Sequence, residues 1–336
     1  MNAKAKITMA HGAGGNASKE LINGVFKKNF SNKILNSLND AAVFNIQNTK
    51  VAFSTDSFVI NPVFFNGGDI GKLAVCGTVN DISVMGAKPA AMSAAAVIEE
   101  GFPVKDLERI VKSMAETAKK AGVNIVTGDT KVVKKGEADG IFINTSAIGI
   151  VKSGVNLSAS NVKDGDCVIV SGNIAQHGIS VMLSRDNFGF KNNIKSDCAC
   201  LNGLISDILK ASNGVKVMRD PTRGGVAAAL NEIAESSKVG IIIDSSALPV
   251  AKDVSAICRV LGFDPLYIAN EGKIISIQNE KDTAKVLKAC KNNVLGKNAA
   301  VIGKAVKSPK GVWVKTHSGG LRRILNTDME QLPRIC

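Results

Sequence analysis

The sequence predicts two domains, a strand-rich α+β domain followed by an α/β domain. The chain has 336 residues, about twice the length of a typical domain. Its 45% hydrophobic and 21% charged residues are typical of globular proteins. Strand patterns dominate the first part of the chain, whereas strands and helices alternate in the second.

The first domain is predicted to span residues 1–152. Apolar runs bounded by turn residues predict strands at 42–46, 51–60, 90–100, 124–133 and 140–151. The small residues of 68–87 predict a buried helix that ends at Gly86. Segment 103–122 predicts an amphipathic helix, because its apolar residues from Leu107 to Met114 fall on one face.

The second domain is predicted to span residues 153–325, and its boundary is placed in a segment rich in Ser, Asn and Gly. Strands are predicted at 166–172, 239–244, 273–278 and 311–316, and helices at 177–184, 201–211, 250–262 and 282–290, with a further helix that begins at Arg223. Residues 326–336 lack periodicity and are predicted to form a mobile tail that ends in Cys336.

Composition argues against several classes of protein. The longest uncharged apolar stretch, 140–151, is too short to span a bilayer, and the N-terminus lacks the apolar run of a signal peptide. Seven cysteines without CxxC spacing argue for reduced thiols, so we expect a cytoplasmic protein. The net charge of +13 comes from lysines spread singly along the chain, which argues against nucleic acid as a partner.

Four aspartates are candidate ligands for a metal–nucleotide complex. The sequence contains no P-loop, Rossmann or HExxH motif, so a nucleotide site needs another device. Asp40, Asp56, Asp81 and Asp220 lie in separate motifs that a fold can bring together. Carboxylate oxygens are ligands that Mg²⁺ prefers. Taken singly, each aspartate is more often a turn or cap residue.

Two glycine-rich loops suit phosphate groups. HGAGG offers the backbone N–H groups of Gly12, Gly14 and Gly15 without obstruction by side chains. RDPTRGG places Arg223 at an apparent helix start, where the helix dipole favours anions. The alternatives are a flexible N-terminal loop and an ordinary capped helix.

Lys131 and Glu271 are candidates for catalysis, since each lies in a small-residue stretch beside a predicted strand. A lysine there can stabilise phosphate charge or move a proton, and a glutamate can act as a base if burial raises its pKa. Both residues also fit surface positions at strand ends.

The C-terminal Cys336 is the most unusual feature of the sequence. Eleven extended residues reach roughly 35 Å, so the tail is long enough to carry a group on the Cys336 sulfur into a cleft. Arg334 favours the thiolate form of this cysteine. By contrast, Cys198 and Cys200 are interpreted as small buried residues at a helix start, and His177 as a hydrogen-bonded helix-start residue.

Together these motifs resemble the HypE family of hydrogenase maturation factors, which are carbamoyl dehydratases. The resemblance covers nearly the whole chain and rests on HGAGG, TDSFVINPVFFNGGDIGKLAVCGTVNDISVMGA, GDTKVV, RDPTRGGVAAALNEIA, GFDPLYIANEGK and the C-terminal PRIC. The aspartate and glycine motifs also fit aminoimidazole ribonucleotide synthetase, selenophosphate synthetase and thiamine monophosphate kinase, but PRIC does not. Gln176 and Asp244 depart from the family pattern.

The resemblance implies a PurM-like fold with two domains. The N-terminal α+β domain is expected to form a barrel across a homodimer interface, and the C-terminal α/β domain to contain a mixed sheet flanked by helices. ATP is expected between the domains, with Mg²⁺ and phosphate bound by Asp40, Asp56, Asp81 and Asp220. The HGAGG loop, Asp129 and Arg223 complete the expected nucleotide site.

The implied reaction is the ATP-dependent dehydration of a carbamoyl group on Cys336 to a thiocyanate, the source of the cyanide ligand of the NiFe-hydrogenase iron. Glu271 is the candidate base, with Lys131 assisting. The implied partners are the carbamoyltransferase HypF and the HypC–HypD iron scaffold complex. Two alternatives stay open, a relative that uses ATP on a diffusible substrate and a metal carrier with thiol ligands at Cys198, Cys200 and Cys336.

Overall fold

Two large β-sheets organise the chain. The computed structural model describes residues 6–12, 14–185, 193–326, 332 and 334–336. The α-helices are α1 (Asn16–Leu21), α2 (Lys28–Phe30), α3 (Ile70–Val84), α4 (Val104–Ala121), α5 (Gln176–Arg185), α6 (Asn202–Ala211), α7 (Gly225–Ser237), α8 (Lys252–Leu261) and α9 (Thr283–Asn292). The strands are β1 (Ala42–Ile46), β2 (Thr49–Phe58), β3 (Phe64–Phe65), β4 (Gly68–Asp69), β5 (Ala87–Glu99), β6 (Asn124–Val133), β7 (Ile141–Val151), β8 (Cys167–Val170), β9 (Val215–Arg219), β10 (Gly240–Asp244), β11 (Ile275–Gln278), β12 (Ala300–Val306), β13 (Gly311–Lys315) and β14 (Leu321–Ile324).

The first sheet has the strand order β1-β2-β7-β5-β6 and is antiparallel except for the parallel pair β5 and β6. Helix α3 is almost entirely buried between this sheet and α4. Its small residues allow this close packing. A Cβ at Gly71 would lie 2.5 Å from the backbone oxygen of Ile110 in α4, so any side chain there would push α4 away.

The outer strand β6 of this sheet is exposed along nearly its whole length. Val126 and Val132 keep 64% and 68% of their surface in contact with solvent. An open strand edge with exposed apolar side chains invites pairing with another chain.

The second sheet has the order β14-β13-β10-β12-β8-β11-β9, and β10 and β13 form its parallel pair. Helices cover both faces of this sheet. Successive side chains of β8 point to opposite faces and pack against different helices. Val168 and Val170 pack into the core formed with α7, and Ile169 packs into the core formed with α6 and α9. The expected α+β unit followed by an α/β unit with a mixed sheet is therefore confirmed.

The first sheet ends with β7 at Val151 and the second begins with β8 at Cys167. We propose a division into domains 1–152 and 153–325, with residues 326–336 as a separate tail. Within the described residues, no helix is both long and apolar enough to span a membrane.

The end of the chain packs against the body of the molecule. The sequence predicts a mobile arm, but Ile335 is 2% exposed and Cys336 packs against the core that contains α3 and the first sheet. Residues 327–331 and 333 of this tail lie outside the described part of the chain.

Candidate active site

Four aspartates from both halves of the chain form one largely buried carboxylate cluster. Asp40 precedes β1, Asp56 lies on β2, Asp81 lies on α3, and Asp220 follows β9. Burial raises the pKa of Asp81 well above its usual value, and the charges of the other three aspartates raise it further. The fold therefore brings together the four residues that the sequence singles out.

Hydrogen bonds from hydroxyl groups orient this cluster. The Ser54 Oγ donates to Asp81 Oδ2 at 2.7 Å, and the Thr78 Oγ1 donates to Asp56 Oδ2 at 2.9 Å. Each donor lies on an element that also carries an aspartate, and each bond crosses between the two elements. Ser54 lies on β2, as Asp56 does, and Thr78 lies on α3, as Asp81 does. Neither was a candidate from the sequence, because only the packing of α3 on β2 brings them to the carboxylates.

Arg219 compensates part of the negative charge. Its Nε lies 2.9 Å from Asp40 Oδ1, and its Nη2 lies 2.8 Å from Glu232 Oε2. Burial and the neighbouring charge of Asp40 nevertheless raise the pKa of Asp220 to about 8. A cluster that raises carboxylate pKa values in this way favours the binding of a cation.

The residues fit Mg²⁺ only in combination with phosphate. The donors are carboxylate oxygens, which suit a hard cation. Among the described residues, however, no group of three or more His, Cys, Asp or Glu is placed to hold a metal ion alone. Phosphate oxygens would therefore have to complete the coordination of an ion bound here.

The two glycine-rich loops lie against each other beside this cluster. The Arg223 Nη1 donates to the backbone oxygen of Gly12 at 2.6 Å. Gly14 has a φ of +81°, and a Cβ there would lie 3.3 Å from the Cβ of Arg223. Arg223 also lowers the pKa of Asp56, although burial raises it overall. The loops and the carboxylates thus form one continuous site.

Glu271 is 2% exposed and lies close to the carboxylate cluster. Burial raises its pKa well above the usual range, as do the neighbouring thiol of Cys198 and the carboxylate of Asp220. Its Oε1 has no hydrogen-bond partner among the described residues. A buried oxygen without a partner costs free energy, and such an oxygen is available to accept a proton.

The loop before α6 fixes the backbone of Glu271. Its N–H donates to Asp197 Oδ1 at 3.1 Å, and its carbonyl oxygen accepts from the N–H of Ala199 at 3.2 Å. Asp197 is held in turn by Lys273, whose Nζ lies 3.2 Å from Asp197 Oδ2. The position of Glu271 therefore depends on residues 197–199.

The C-terminal residues dock against the segment that follows β2. The backbone oxygens of Arg334 and Cys336 accept hydrogen bonds from Asn61 and Val59, at 3.4 and 3.1 Å. Arg334 also donates to the Val59 oxygen at 2.9 Å and forms an ion pair with Asp139. Cys336 packs against the large hydrophobic core that also contains α3.

Lys131 and Asp129 lie elsewhere in the single chain. They contact each other at 2.9 Å on the exposed strand β6. Across the sheet from Asp56 on β2, the paired residues are Thr145 on β7, then Ala94 on β5, then Gly128 on β6. Strand β6 is therefore three strands from Asp56, about 14 Å away. The fold of one chain does not bring this pair to the carboxylates.

Comparisons with known proteins show the family of the chain. The family described as AIR synthase related protein matches in both of its parts, the N-terminal domain at residues 38–151 and the C-terminal domain at 163–315. The carbamoyl dehydratase HypE of Rhizobium leguminosarum bv. viciae is 47% identical, over 99% of this chain and 96% of that protein. The chain belongs to the HypE family of carbamoyl dehydratases.

Solved structures of HypE proteins share the fold. HypE in a HypE–HypF complex is 49% identical and superimposes with a TM-score of 0.88, covering 91% of this chain and 99% of that one. HypE in complex with ATP is 41% identical with a TM-score of 0.82, covering 98% and 100%. The predicted activity, an ATP-dependent carbamoyl dehydratase of hydrogenase maturation, is confirmed at the level of the HypE family.

Proposed function

We propose that this HypE family member dehydrates a carbamoyl group carried on its own Cys336, with ATP and Mg²⁺. The docked C-terminus supports this proposal, because His177 binds the backbone of Ile335, the neighbour of Cys336. From His177, hydrogen bonds through Ser196 lead to Cys198, the neighbour of Glu271. The substrate is then a residue of the chain itself, and no diffusible acceptor is needed.

A HypE relative has been crystallised with ATP, and the residues found here suit the same ligand. The facing loops of Gly12 and Arg223 supply backbone N–H groups and a guanidinium for phosphate. The carboxylates of Asp40, Asp56, Asp81 and Asp220 supply hard oxygen ligands. When bound, Mg²⁺ would neutralise charge on the transferring phosphoryl group.

The reaction needs an oxygen made into a leaving group. The carbamoyl oxygen attacks the γ-phosphorus of ATP, ADP leaves, and a protonated O-phosphoryl imidate that keeps both N–H protons remains on the Cys336 sulfur. The C–O bond then breaks and phosphate departs, while two N–H protons are lost and a C≡N triple bond forms. The products are the thiocyanate of Cys336, ADP and phosphate.

Glu271 is the proposed base for the first of these protons. Its Oε1, which has no hydrogen-bond partner in the described part of the chain, is an acceptor, and its raised pKa makes it a stronger base than an ordinary glutamate. The departing phosphate takes the second proton, so that charge and atoms balance.

We propose that Lys131 and Asp129 act across a homodimer. Both residues lie on β6, whose open edge and exposed valines suit a second copy of the chain. Pairing of two such sheets would produce the expected barrel and would bring the exposed Lys131 next to the partner subunit. Lys131 could then stabilise phosphate charge there.

The partners follow from the chemistry. A relative forms a HypE–HypF complex, and we propose that HypF carbamoylates Cys336 in this chain. The cyano group must then reach iron, for which we propose the HypC–HypD complex. Five cysteines of this chain are buried as thiols without disulfides, which is typical of the reducing cytoplasm where we place the reaction.

Phosphate release tests the proposal. The wild-type chain, HypF, carbamoyl phosphate and Mg-ATP should release phosphate in proportion to the carbamoylated chain, and the Cys336→Ser variant should not exceed the rate of HypF alone. Cys167→Ser, which removes another buried thiol, is the matched control and should keep the activity. Equal phosphate release by the Cys336→Ser variant and the wild type would contradict the proposal.

A further inference from the structure

We infer that His177 is a positioning residue that docks the C-terminal tail through the tail's backbone and couples this docking to the loop that holds Glu271. The inference rests on the proposed dehydration of carbamoylated Cys336, and it concerns how that residue is presented.

The imidazole of His177 is fully buried and uses both ring nitrogens. Its Nε2 lies 2.7 Å from the backbone oxygen of Ile335, and its Nδ1 lies 2.8 Å from the Oγ of Ser196. Because a carbonyl oxygen only accepts hydrogen bonds, Nε2 carries the proton. In the neutral ring Nδ1 then accepts from the Ser196 hydroxyl. Burial lowers the pKa of His177, which keeps the ring neutral.

Ser196 links His177 to the active site through hydrogen bonds. Its Oγ accepts from the N–H of Cys198 at 3.1 Å, and the thiol of Cys198 is a close neighbour of the Glu271 carboxyl. The next residue, Asp197, accepts the Glu271 N–H. A continuous set of hydrogen bonds therefore joins the tail to the segment that positions the proposed base.

Two hydrogen bonds to the last two residues reach main-chain oxygens. His177 binds the carbonyl of Ile335, and the Val59 N–H donates to a C-terminal carboxylate oxygen of Cys336. Neither bond involves the group carried on the Cys336 sulfur. These two backbone bonds can therefore form whether the sulfur carries a proton, a carbamoyl group or a cyano group.

A merely structural role for His177 would be to fill space beside Phe65, whose ring lies edge-on with the centroids 5.5 Å apart. A space-filling side chain needs no polar partner. The two roles are separated by a His177→Phe variant, which keeps an aromatic ring and removes both hydrogen bonds, and by a His177→Gln variant, which restores an N–H donor.

The first experiment measures the alkylation rate of Cys336 by iodoacetamide, with peptide mass spectrometry to resolve each cysteine. Loss of the His177 bond should release the tail and raise the rate about fivefold in His177→Phe, with a smaller rise in His177→Gln. His317→Phe, at the exposed third histidine, is the matched control and should leave the rate unchanged. The buried Cys258 reports in the same digest whether the fold is intact.

If His177→Phe also exposes Cys258, the Ser196→Ala variant decides, since it removes the Nδ1 partner with a small change of volume. It should accelerate alkylation of Cys336 alone. An unchanged Cys336 rate in a variant that keeps Cys258 protected would overturn the inference.

The second readout separates positioning from general damage. In the His177→Phe variant, dehydration of carbamoylated Cys336 should slow at least tenfold, while carbamoylation of Cys336 by HypF stays the same or accelerates because the tail is freed. Equal slowing of both steps would contradict the positioning role. Alkylation requires neither ATP nor a partner, so the docking result stands or falls independently of the proposed function.

Discussion

The Nε of Arg219 lies 2.9 Å from the Oδ1 of Asp40, and this ion pair joins the two halves of the molecule. Arg219 ends β9 of the second sheet, whereas Asp40 precedes β1 of the first. Both side chains are largely buried, with 16% and 12% exposure. The pair therefore holds the domains together at the edge of the carboxylate cluster.

Removal of the arginine should destabilise the protein strongly. The Arg219→Gln variant leaves the buried Asp40 without its cation, which typically costs about 3 kcal/mol or more. Thermal unfolding should show this as a drop in Tm of several degrees. Arg322→Gln is the matched control, because Arg322 pairs with Asp264 at 2.8 Å on the exposed surface. Its loss should cost at most about 1 kcal/mol. Equal drops in the two variants would argue against a role in joining the domains.

Stability should fall as the pH rises, because of Asp220. Its folded pKa of about 8 exceeds the value of about 3.9 expected in the unfolded chain. The folded state thus holds this proton more tightly, and the resulting stability is complete below about pH 4 and is lost as the pH approaches about 8. The Asp220→Asn variant should have a flatter dependence of Tm on pH. Asp164→Asn, at an exposed turn, should keep the slope of the wild type, and an unchanged slope for Asp220→Asn would contradict the assignment.

Substitution of Glu271 should separate carbamoylation from dehydration. Glu271→Gln keeps the shape of the side chain but removes the base, so we expect the rate of thiocyanate formation to fall roughly 10²–10⁴-fold. The carbamoylated Cys336 should then accumulate. In the wild type, the rate should increase with pH through the raised pKa of Glu271, since the base acts in its deprotonated form. Normal dehydration by Glu271→Gln would assign the base to another residue.

A charged residue on β6 should weaken the proposed dimer. Val126→Lys places an ammonium group on the open strand edge, and we expect the dissociation constant to rise about tenfold or more. Sedimentation equilibrium or light scattering checks this. Val260→Lys provides the control, because Val260 is similarly exposed, at 70%, but lies on α8. A protein that is monomeric before any substitution would refute the proposed homodimer.

Local sequence patterns predicted most of the regular elements, since the period-two alternation of β7 and the apolar face of α4 are properties of single segments. Short strands such as β9 and β14 were not anticipated, because four or five residues carry little periodicity and their place in the sheet depends on their neighbours. Helix α1 was missed for the same reason.

The sequence shows the separate motifs of the site, but it does not show which other residues hold them in place. Asp40 and Asp220 are recognisable from their motifs, whereas Arg219, Ser54 and Thr78 acquire a role only through contacts between distant segments. His177 was expected to be a hydrogen-bonded residue at a helix start, and it does lie at the start of α5. Its bond to Ile335, which is 158 positions away, arises from tertiary structure alone.

The most direct test of the proposed function is the mass of the C-terminal peptide. After incubation with HypF, carbamoyl phosphate and Mg-ATP, the peptide that contains Cys336 should first gain one carbamoyl group and then lose one water in an ATP-dependent step. A peptide that stays unmodified while ATP is consumed, or one that keeps the carbamoyl group with ATP present, would contradict dehydration on Cys336.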